Sequence, residues 1–219
     1  MHCVVLEDDD REIVVGKIVC VGRNYAAHVQ EMEGTTKARP VLFLKPATAL
    51  LPPGFPIRLP AFSTEIHHEV EMVALVGQQL RSASPEEAQD GVAGYGVGLD
   101  LTARDFQSEA KSRGEPWAVP KGFDGSAPMS TIRGASVVGD VGDLAIELRV
   151  NGEVRQSART SSMLHSLPEL LAHASQFFTL EPGDLFFTGT PAGVGPLAVG
   201  DVLEATLEKV GEARWEVVG

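Results

Sequence analysis

Two glutamates stand two residues apart in the segment Ile66-His67-His68-Glu69-Val70-Glu71-Met72-Val73, which alternates like a strand. Side chains at positions i and i+2 of a strand point to the same face, so Glu69 and Glu71 are expected side by side. Two like charges at that distance are costly unless a cation lies between them. Because the ligands are hard oxygens and no cysteine is adjacent, the pattern indicates Mg²⁺, Mn²⁺ or Ca²⁺ rather than zinc.

A third acid, Asp100, follows the apolar residues 94–99, just before a predicted helix. Functional residues often collect where an element passes into a loop. Two alternatives stay open, because a Glu-x-Glu pair also occurs on solvated sheet edges and Asp100 could cap the helix at Thr102. The apolar residues 72–77 favour the metal site, since a glutamate pair entering a buried strand needs partners.

A histidine and a glutamate are spaced to form a general base. His28 and Glu31 are three residues apart in a predicted helix over residues 25–33, so their side chains can touch. The carboxylate would fix the tautomer of the imidazole and make it a better base. An ordinary surface pair has the same spacing. Residues 24–39 are a candidate lid, and a plain loop is the alternative.

Lys121 stands among Trp117, Pro120 and Phe123, where partial desolvation would suit a partner for an acidic site or a substrate carboxylate. A surface lysine would give the same pattern, and Lys45 after residues 42–44 is similar. The glycine-rich residues 187–196 have neither a Walker ending nor a dinucleotide-binding pattern. Their amides and the hydroxyl of Thr190 could hold a carboxylate, or the segment could be a connecting turn.

The elements that must position these groups are predicted to be short and mostly strands. The 219 residues include 23 glycines and 14 prolines spread along the chain, which is typical of many turns. Strands are predicted at residues 17–21, 40–44, 65–76, 92–101, 136–138, 145–150, 153–158, 184–188, 201–207 and 213–218. Helices are predicted at residues 25–33, from residue 84, at 102–112 and at 166–177. The fold class is therefore a β-rich α+β domain.

Composition excludes several partners. The formal charge of −12 repels nucleic acid and anionic lipid. No apolar run approaches the ~18 residues of a membrane helix, and the acidic start does not resemble a signal peptide. Cys3 and Cys20 fit a reducing cytoplasm with both thiols free. The length suits one domain, residues 1–219, with residues 1–16 as a short extension or hairpin.

Six segments together resemble one family, the fumarylacetoacetate hydrolase family. They are residues 20–25, 42–46, 67–71, 98–105, 116–121 and 189–195. The chain looks closest to the short, single-domain branch of acylpyruvate hydrolases and oxaloacetate decarboxylases. This resemblance implies a mixed β-sandwich roll with a few flanking helices, of the C-terminal-domain type of that family, and a homodimer.

The resemblance also implies roles for nine residues. The ligands of Mg²⁺ or Mn²⁺ would be Glu69, Glu71 and Asp100. The general base and its carboxylate partner, on the lid, would be His28 and Glu31. Lys121 would contact the metal-bound oxygens, and the substrate contacts would be Arg23, Gln107 and Thr190.

The implied substrate is a 2-oxo acid with a second carbonyl two carbons away. His28, polarised by Glu31, would take a proton from water, and the hydroxide would attack the distal carbonyl. The carbon–carbon bond would then break toward a pyruvate enolate stabilised by the cation and Lys121. Two alternatives stay open. Oxaloacetate decarboxylation would give the same pyruvate enolate, and keto–enol tautomerisation would need only proton transfer beside the cation. Isomerisation and decarboxylation of the 2-hydroxymuconate type belong with these alternatives. An alternative of another class is a non-catalytic acidic metal-binding module.

Overall fold

The computed structural model describes residues 2–31 and 39–219. Within them the strands are β1 (Cys3–Leu6), β2 (Arg11–Val14), β3 (Lys17–Gly22), β4 (Val41–Pro46), β5 (Leu50–Leu51), β6 (Ile57–Arg58), β7 (Ile66–His68), β8 (Val70–Val76), β9 (Val92–Leu99), β10 (Thr102–Ala103), β11 (Ala127–Pro128), β12 (Arg133–Gly134), β13 (Ala145–Val150), β14 (Glu153–Arg159), β15 (Leu185–Phe187), β16 (Gly195–Pro196), β17 (Val202–Leu207) and β18 (Gly211–Val218). The helices are α1 (Ala26–Glu31), α2 (Pro85–Asp90), α3 (Arg104–Arg113), α4 (Ala118–Gly122), α5 (Ala135–Val138) and α6 (Leu167–Ser175).

Two large sheets form the centre of the fold. One has six strands in the order β12-β9-β8-β15-β3-β4, and the other has five in the order β14-β13-β17-β18-β6. The largest core cluster includes Met72 of β8, Val97 of β9, Leu148 of β13 and Trp215 of β18, so the sheets pack against each other. The β-rich α+β class predicted from the sequence is confirmed.

Strand β8 is buried along its whole length because both of its faces are covered. Met72 and Ala74 pack in the core between the large sheets, whereas Val73 and Leu75 pack in a second cluster. That second cluster also contains Val4 of the antiparallel hairpin β1–β2. Because side chains alternate along a strand, the side chain of Glu71 belongs to the face of Val73 and Leu75.

Three boundaries differ from those predicted, and each affects the site. The strand predicted over residues 65–76 is two strands, β7 and β8, with Glu69 in the break between them. The strand predicted over 92–101 ends at Leu99, so Asp100 lies just beyond it. The helix predicted over 102–112 begins at Arg104, because residues 102–103 pair with β7 as β10.

The strand predicted at residues 136–138 is wrong, because Ala135–Val138 is the short helix α5. The two valines favour a strand by their intrinsic preference. The segment is instead bounded by Gly134 and by Gly139, whose φ of 72° ends the helical turn. Across the described residues, no helix is long and apolar enough to cross a membrane.

Candidate active site

Three carboxylates converge where β8 and β9 pair. Glu71 lies opposite Gly98 in the antiparallel register, and the backbone N–H of Asp100 donates to the carbonyl of Glu69 at 2.8 Å. One carboxylate oxygen from each of Glu69, Glu71 and Asp100 lies within 4.8 Å of the others. The three residues are only 5%, 1% and 1% exposed. In the part of the chain that the structure describes, this is the one group of such side chains close enough to share an ion.

Three cationic side chains hold two of these acids. Lys121 Nζ lies 2.8 Å from Glu69 Oε2 and 2.5 Å from Asp100 Oδ2. Arg104 Nη2 lies 2.7 Å from Glu69 Oε1, and Lys45 Nζ lies 2.8 Å from Asp100 Oδ1. Sequence reasoning did not assign Arg104, although its position three residues before Gln107 on a helix was a usable signal. It left open whether Lys45 is a surface lysine or a partly desolvated partner of an acidic site, and in the structure the side chain is fully buried.

The surroundings of the cluster shift the pKa values of its two glutamates in opposite directions. Burial alone would raise the pKa of Glu69, but the charges of Lys121 and Arg104 hold that pKa well below its usual value. Burial raises the pKa of Glu71 well above its usual value, and the charges of Asp100 and Glu69 raise it further. Burial would lower the pKa of Lys121, but Asp100 and Glu69 raise it above its usual value.

The residues present fit a hard divalent cation. Among the described side chains, no cation forms an ion pair with Glu71, whose Oε2 accepts only the backbone N–H of Gly189 at 2.7 Å. A buried carboxylate without a counter-charge is costly, and a dication held by three carboxylates would supply that charge. Carboxylate oxygens without cysteine are the ligands that Mg²⁺ and Mn²⁺ prefer.

The predicted contact between His28 and Glu31 is formed within helix α1. His28 Nδ1 lies 3.1 Å from Glu31 Oε2, and the other oxygen of Glu31 accepts the backbone N–H of Gly193 at 2.9 Å. This second contact joins α1 to the glycine-rich loop. His28 is buried. Of the candidate lid over residues 24–39, residues 32–38 lie outside the described part of the chain.

One cavity brings most of the predicted site residues together. Its lining includes Arg23, His28, Glu69, Glu71, Gln107, Lys121 and Thr190. The other two, Glu31 and Asp100, adjoin it through their contacts with His28 and Lys121. Lys111, which sequence reasoning did not assign, also lines the cavity. Cys20 is buried, and burial raises its thiol pKa, which fits a packed residue rather than a nucleophile.

Gln156 of β14 connects two segments that carry site residues, residues 68–70 and residues 190–191. Its Oε1 accepts from His68 Nδ1 and from the backbone N–H of Val70, both at 3.0 Å. Its Nε2 donates to Thr190 Oγ1 at 2.7 Å and to the carbonyl of Pro191 at 2.8 Å. Gln156 is 1% exposed. Nothing in the local sequence marks it, because its partners are more than 30 residues away.

Comparisons with known proteins identify relatives of this chain. Residues 17–218 match the family described as fumarylacetoacetate (FAA) hydrolase C-terminal. The chain is 47% identical over 200 residues to the mitochondrial oxaloacetate tautomerase FAHD1 of Mus musculus, covering 91% of this chain and 90% of that one. It is 47% identical over 195 residues to the oxaloacetate tautomerase YcgM of Escherichia coli K12, covering 89% of each. A fumarylpyruvate hydrolase from Pseudomonas aeruginosa, solved with Mn²⁺ and pyruvate, superposes with a TM-score of 0.95 at 38% identity, covering 99% of this chain and 95% of that one.

Proposed function

The chain belongs to the fumarylacetoacetate hydrolase family, and we propose that it is a divalent-metal-dependent enzyme that hydrolyses the C–C bond of acylpyruvates. The observation that carries the proposal is the cavity in which His28 faces the carboxylates of Glu69 and Glu71 beside the ammonium of Lys121. A divalent cation bound by Glu69, Glu71 and Asp100 would polarise the 2-oxo acid end of the substrate. Mg²⁺ and Mn²⁺ both suit this donor set.

The residues of the chain divide the remaining work. His28, oriented by Glu31, takes a proton from water, and the hydroxide adds to the carbonyl two carbons from the 2-oxo group. The bond between that carbon and the methylene carbon breaks, and its electron pair forms the enolate of pyruvate. Lys121 stabilises the negative charge on the enolate oxygen. His28 returns the proton it took from water to the methylene carbon, which gives pyruvate, and the acyl group leaves as a carboxylic acid.

Gln107 and Thr190 are proposed to orient the substrate. Gln107 Oε1 accepts from Arg104 Nη1 at 2.7 Å, which directs the Gln107 amide N–H group away from that contact. The Thr190 hydroxyl accepts from Gln156, so its own hydrogen is available to a substrate oxygen. We further propose that the chain acts as one catalytic domain in a cytoplasmic homodimer. The two free cysteines suit a reducing compartment.

A second candidate is the tautomerisation of oxaloacetate. It is favoured by the two relatives at 47% identity whose names carry that activity. In this reaction His28 would move a proton between C3 and the oxygen on C2, with no attack by water. Decarboxylation of oxaloacetate would give the enolate of pyruvate, as the hydrolysis does, and would use Lys121 in the same way.

The test is turnover of acetylpyruvate and of oxaloacetate with Mg²⁺, with Mn²⁺ and with excess chelator. Pyruvate release from acetylpyruvate that the chelator abolishes supports the hydrolase. Faster keto–enol exchange of oxaloacetate without pyruvate release supports the tautomerase instead. Turnover of neither compound would leave the non-catalytic metal-binding module.

His28→Ala tests the base directly. We expect kcat for acetylpyruvate to fall by about 10²–10⁴-fold, which is the usual contribution of a general base. The matched control is His173→Ala on α6, where the ring is half-buried against Phe177 rather than in the cavity. Unchanged kcat in a folded His28→Ala protein would remove His28 from the mechanism.

A further inference from the structure

The side chain of Gln156 reaches the active site from the second large sheet. Gln156 lies on β14, an edge strand of the five-stranded sheet, whereas Glu71 lies on β8 of the six-stranded sheet. The loop that carries Thr190 passes directly over β14, since a Cβ on Gly193 would collide with the carbonyl oxygen of Arg155. Gly193 has a φ of 99°, so glycine suits this position on both counts. The loop backbone is therefore held against the strand that carries Gln156.

Two backbone groups fix the orientation of the Gln156 amide. The N–H of Val70 can only donate, so Gln156 Oε1 must face it, at 3.0 Å. The carbonyl of Pro191 can only accept, so Nε2 must face it, at 2.8 Å. His68 Nδ1 donates to the same Oε1 at 3.0 Å. Turning the amide over would place donor against donor and acceptor against acceptor, so the fold allows only this orientation.

This orientation determines what the Thr190 hydroxyl can do. Gln156 Nε2 gives its second hydrogen to Thr190 Oγ1 at 2.7 Å, so the hydroxyl is an acceptor on that side. A hydroxyl hydrogen rotates to suit its neighbours, and here it must point away from the amide. Among the described residues, no protein atom accepts this hydrogen. Thr190 is 3% exposed and lines the active-site cavity, so the free hydrogen belongs to the cavity side.

We propose that Gln156 is a positioning residue, which makes Thr190 a hydrogen-bond donor, and not an acceptor, toward the substrate. The inference rests on the proposed function, in which Thr190 orients the substrate. Gln156 does not line the cavity and acts only through the threonine hydroxyl. The substrate atom at Thr190 must then offer a lone pair, as a carboxylate, ketone or enolate oxygen does and an ammonium group does not.

One substitution should reverse the direction of the hydroxyl. In Gln156→Glu the ionised carboxylate still accepts from Val70 and His68, but it has no hydrogen to give Thr190. The threonine hydroxyl then donates to the carboxylate instead of to the substrate. We expect kcat/KM for acetylpyruvate to fall by about tenfold or more, because a hydrogen bond to an anionic substrate is lost. Gln156→Met removes more contacts but leaves the hydroxyl free to rotate, so it should lower kcat/KM less.

A double-substitution cycle with Thr190→Val separates this role from a structural one. Thr190→Val replaces the hydroxyl by a methyl group of similar size. Gln156→Glu should then cost about tenfold or more when Thr190 is present and no more than about threefold in the Thr190→Val protein. A general loss of structure, or repulsion of the substrate by the new carboxylate, would cost the same in both backgrounds and would overturn the proposal.

The matched control is Ser157→Ala, which changes the next residue on β14, where the side chain is exposed. It should leave kcat/KM unchanged, and thermal melts establish that each variant is folded at the assay temperature. Should Gln156→Glu fail to fold, the cycle is run with Gln156→Met, whose cost must likewise depend on the Thr190 hydroxyl.

Failure of the proposed function gives a different result. If wild-type protein does not cleave acetylpyruvate, the proposed hydrolase fails. The same cycle is then taken from calorimetric dissociation constants of acetylpyruvate measured with Mg²⁺. A cost of Gln156→Glu that depends on the Thr190 hydroxyl supports the positioning role, and an equal cost in both backgrounds overturns it.

Discussion

Replacing Lys121 by methionine should separate what its ammonium does for the stability of the carboxylate cluster from what it does in the proposed catalysis. The substitution keeps the unbranched side chain up to the position of Cε and removes the ammonium that lies 2.8 Å from Glu69 and 2.5 Å from Asp100. Removing one partner of a buried ion pair costs about 3–5 kcal/mol. Because Arg104 and Lys45 still hold the two acids, we expect the lower end, about 3 kcal/mol. For a protein of this size that lowers Tm by about 6–12 °C in the presence of chelator.

The same variant should bind a divalent cation more tightly. Two unit charges 4 Å apart interact by about 4 kcal/mol at an effective dielectric constant of 20, so the ammonium opposes a dication in this cluster. Part of that gain is lost because Glu69 and Asp100 become less well oriented. We therefore expect a net gain of at least about 1.4 kcal/mol, which is a tenfold lower Kd. Turnover should nevertheless fall, because the enolate oxygen loses its ammonium.

The assay is a pair of thermal melts, with chelator and with saturating Mg²⁺ or Mn²⁺, together with calorimetric titration of the metal. The rise in Tm on adding metal should be larger in Lys121→Met than in wild type, since the cation replaces the missing charge. Lys209→Met removes an exposed lysine between β17 and β18 and should change neither value. A Lys121→Met protein that matches wild type with chelator, or binds metal more weakly, would refute the charge argument.

Two further substitutions test the carboxylate cluster and the hydrogen bonds of Gln156. Glu71→Gln should abolish the metal-induced rise in Tm yet leave the Tm with chelator unchanged or higher, because Glu71 has no cationic partner among the described residues; a large loss of stability with chelator would contradict this. Gln156→Leu strands the buried N–H of Val70 and the carbonyl of Pro191, at about 1–3 kcal/mol each. Its Tm should fall by at least about 4 °C, whereas Ser157→Ala on the same strand should not shift it, and an unchanged Tm in Gln156→Leu would contradict the connection.

Local spacing accounts for the part of the site that the sequence could predict. Glu69 and Glu71 share a face because strand side chains alternate, and His28 reaches Glu31 because helix residues three apart are neighbours. The break in the strand at Glu69 was not predicted. At this break the backbone N–H of Asp100 donates to the carbonyl of Glu69. Glu69 directly precedes β8 and Asp100 directly follows β9, so the bond lies at the end of the paired strands.

Pairing between distant segments accounts for what could not be predicted. Asp100 meets the glutamates only through the register of β8 against β9, and no local pattern specifies that register. Lys45 reads as a strand-end lysine until β4 is placed against the backbone of residues 101–126. Arg104 lies on a predicted helix, but its contact with Glu69 requires β10 to pair with β7. The resemblance carried by six family-like segments in order, rather than local spacing, predicted that Asp100 joins the two glutamates.

The two lysines that contact Asp100 are held in place by different kinds of partner. Lys45 Nζ also donates to the carbonyl of Ser126 at 3.0 Å and to its hydroxyl at 2.9 Å, so the backbone fixes its position. Within the described residues, Lys121 Nζ donates only to the carboxylates of Glu69 and Asp100. In the proposed mechanism the charge in the cavity changes when a cation or an anionic substrate enters, and the position of the Lys121 ammonium would change with it. Lys45 would keep Asp100 neutralised while Lys121 turns its ammonium toward the substrate.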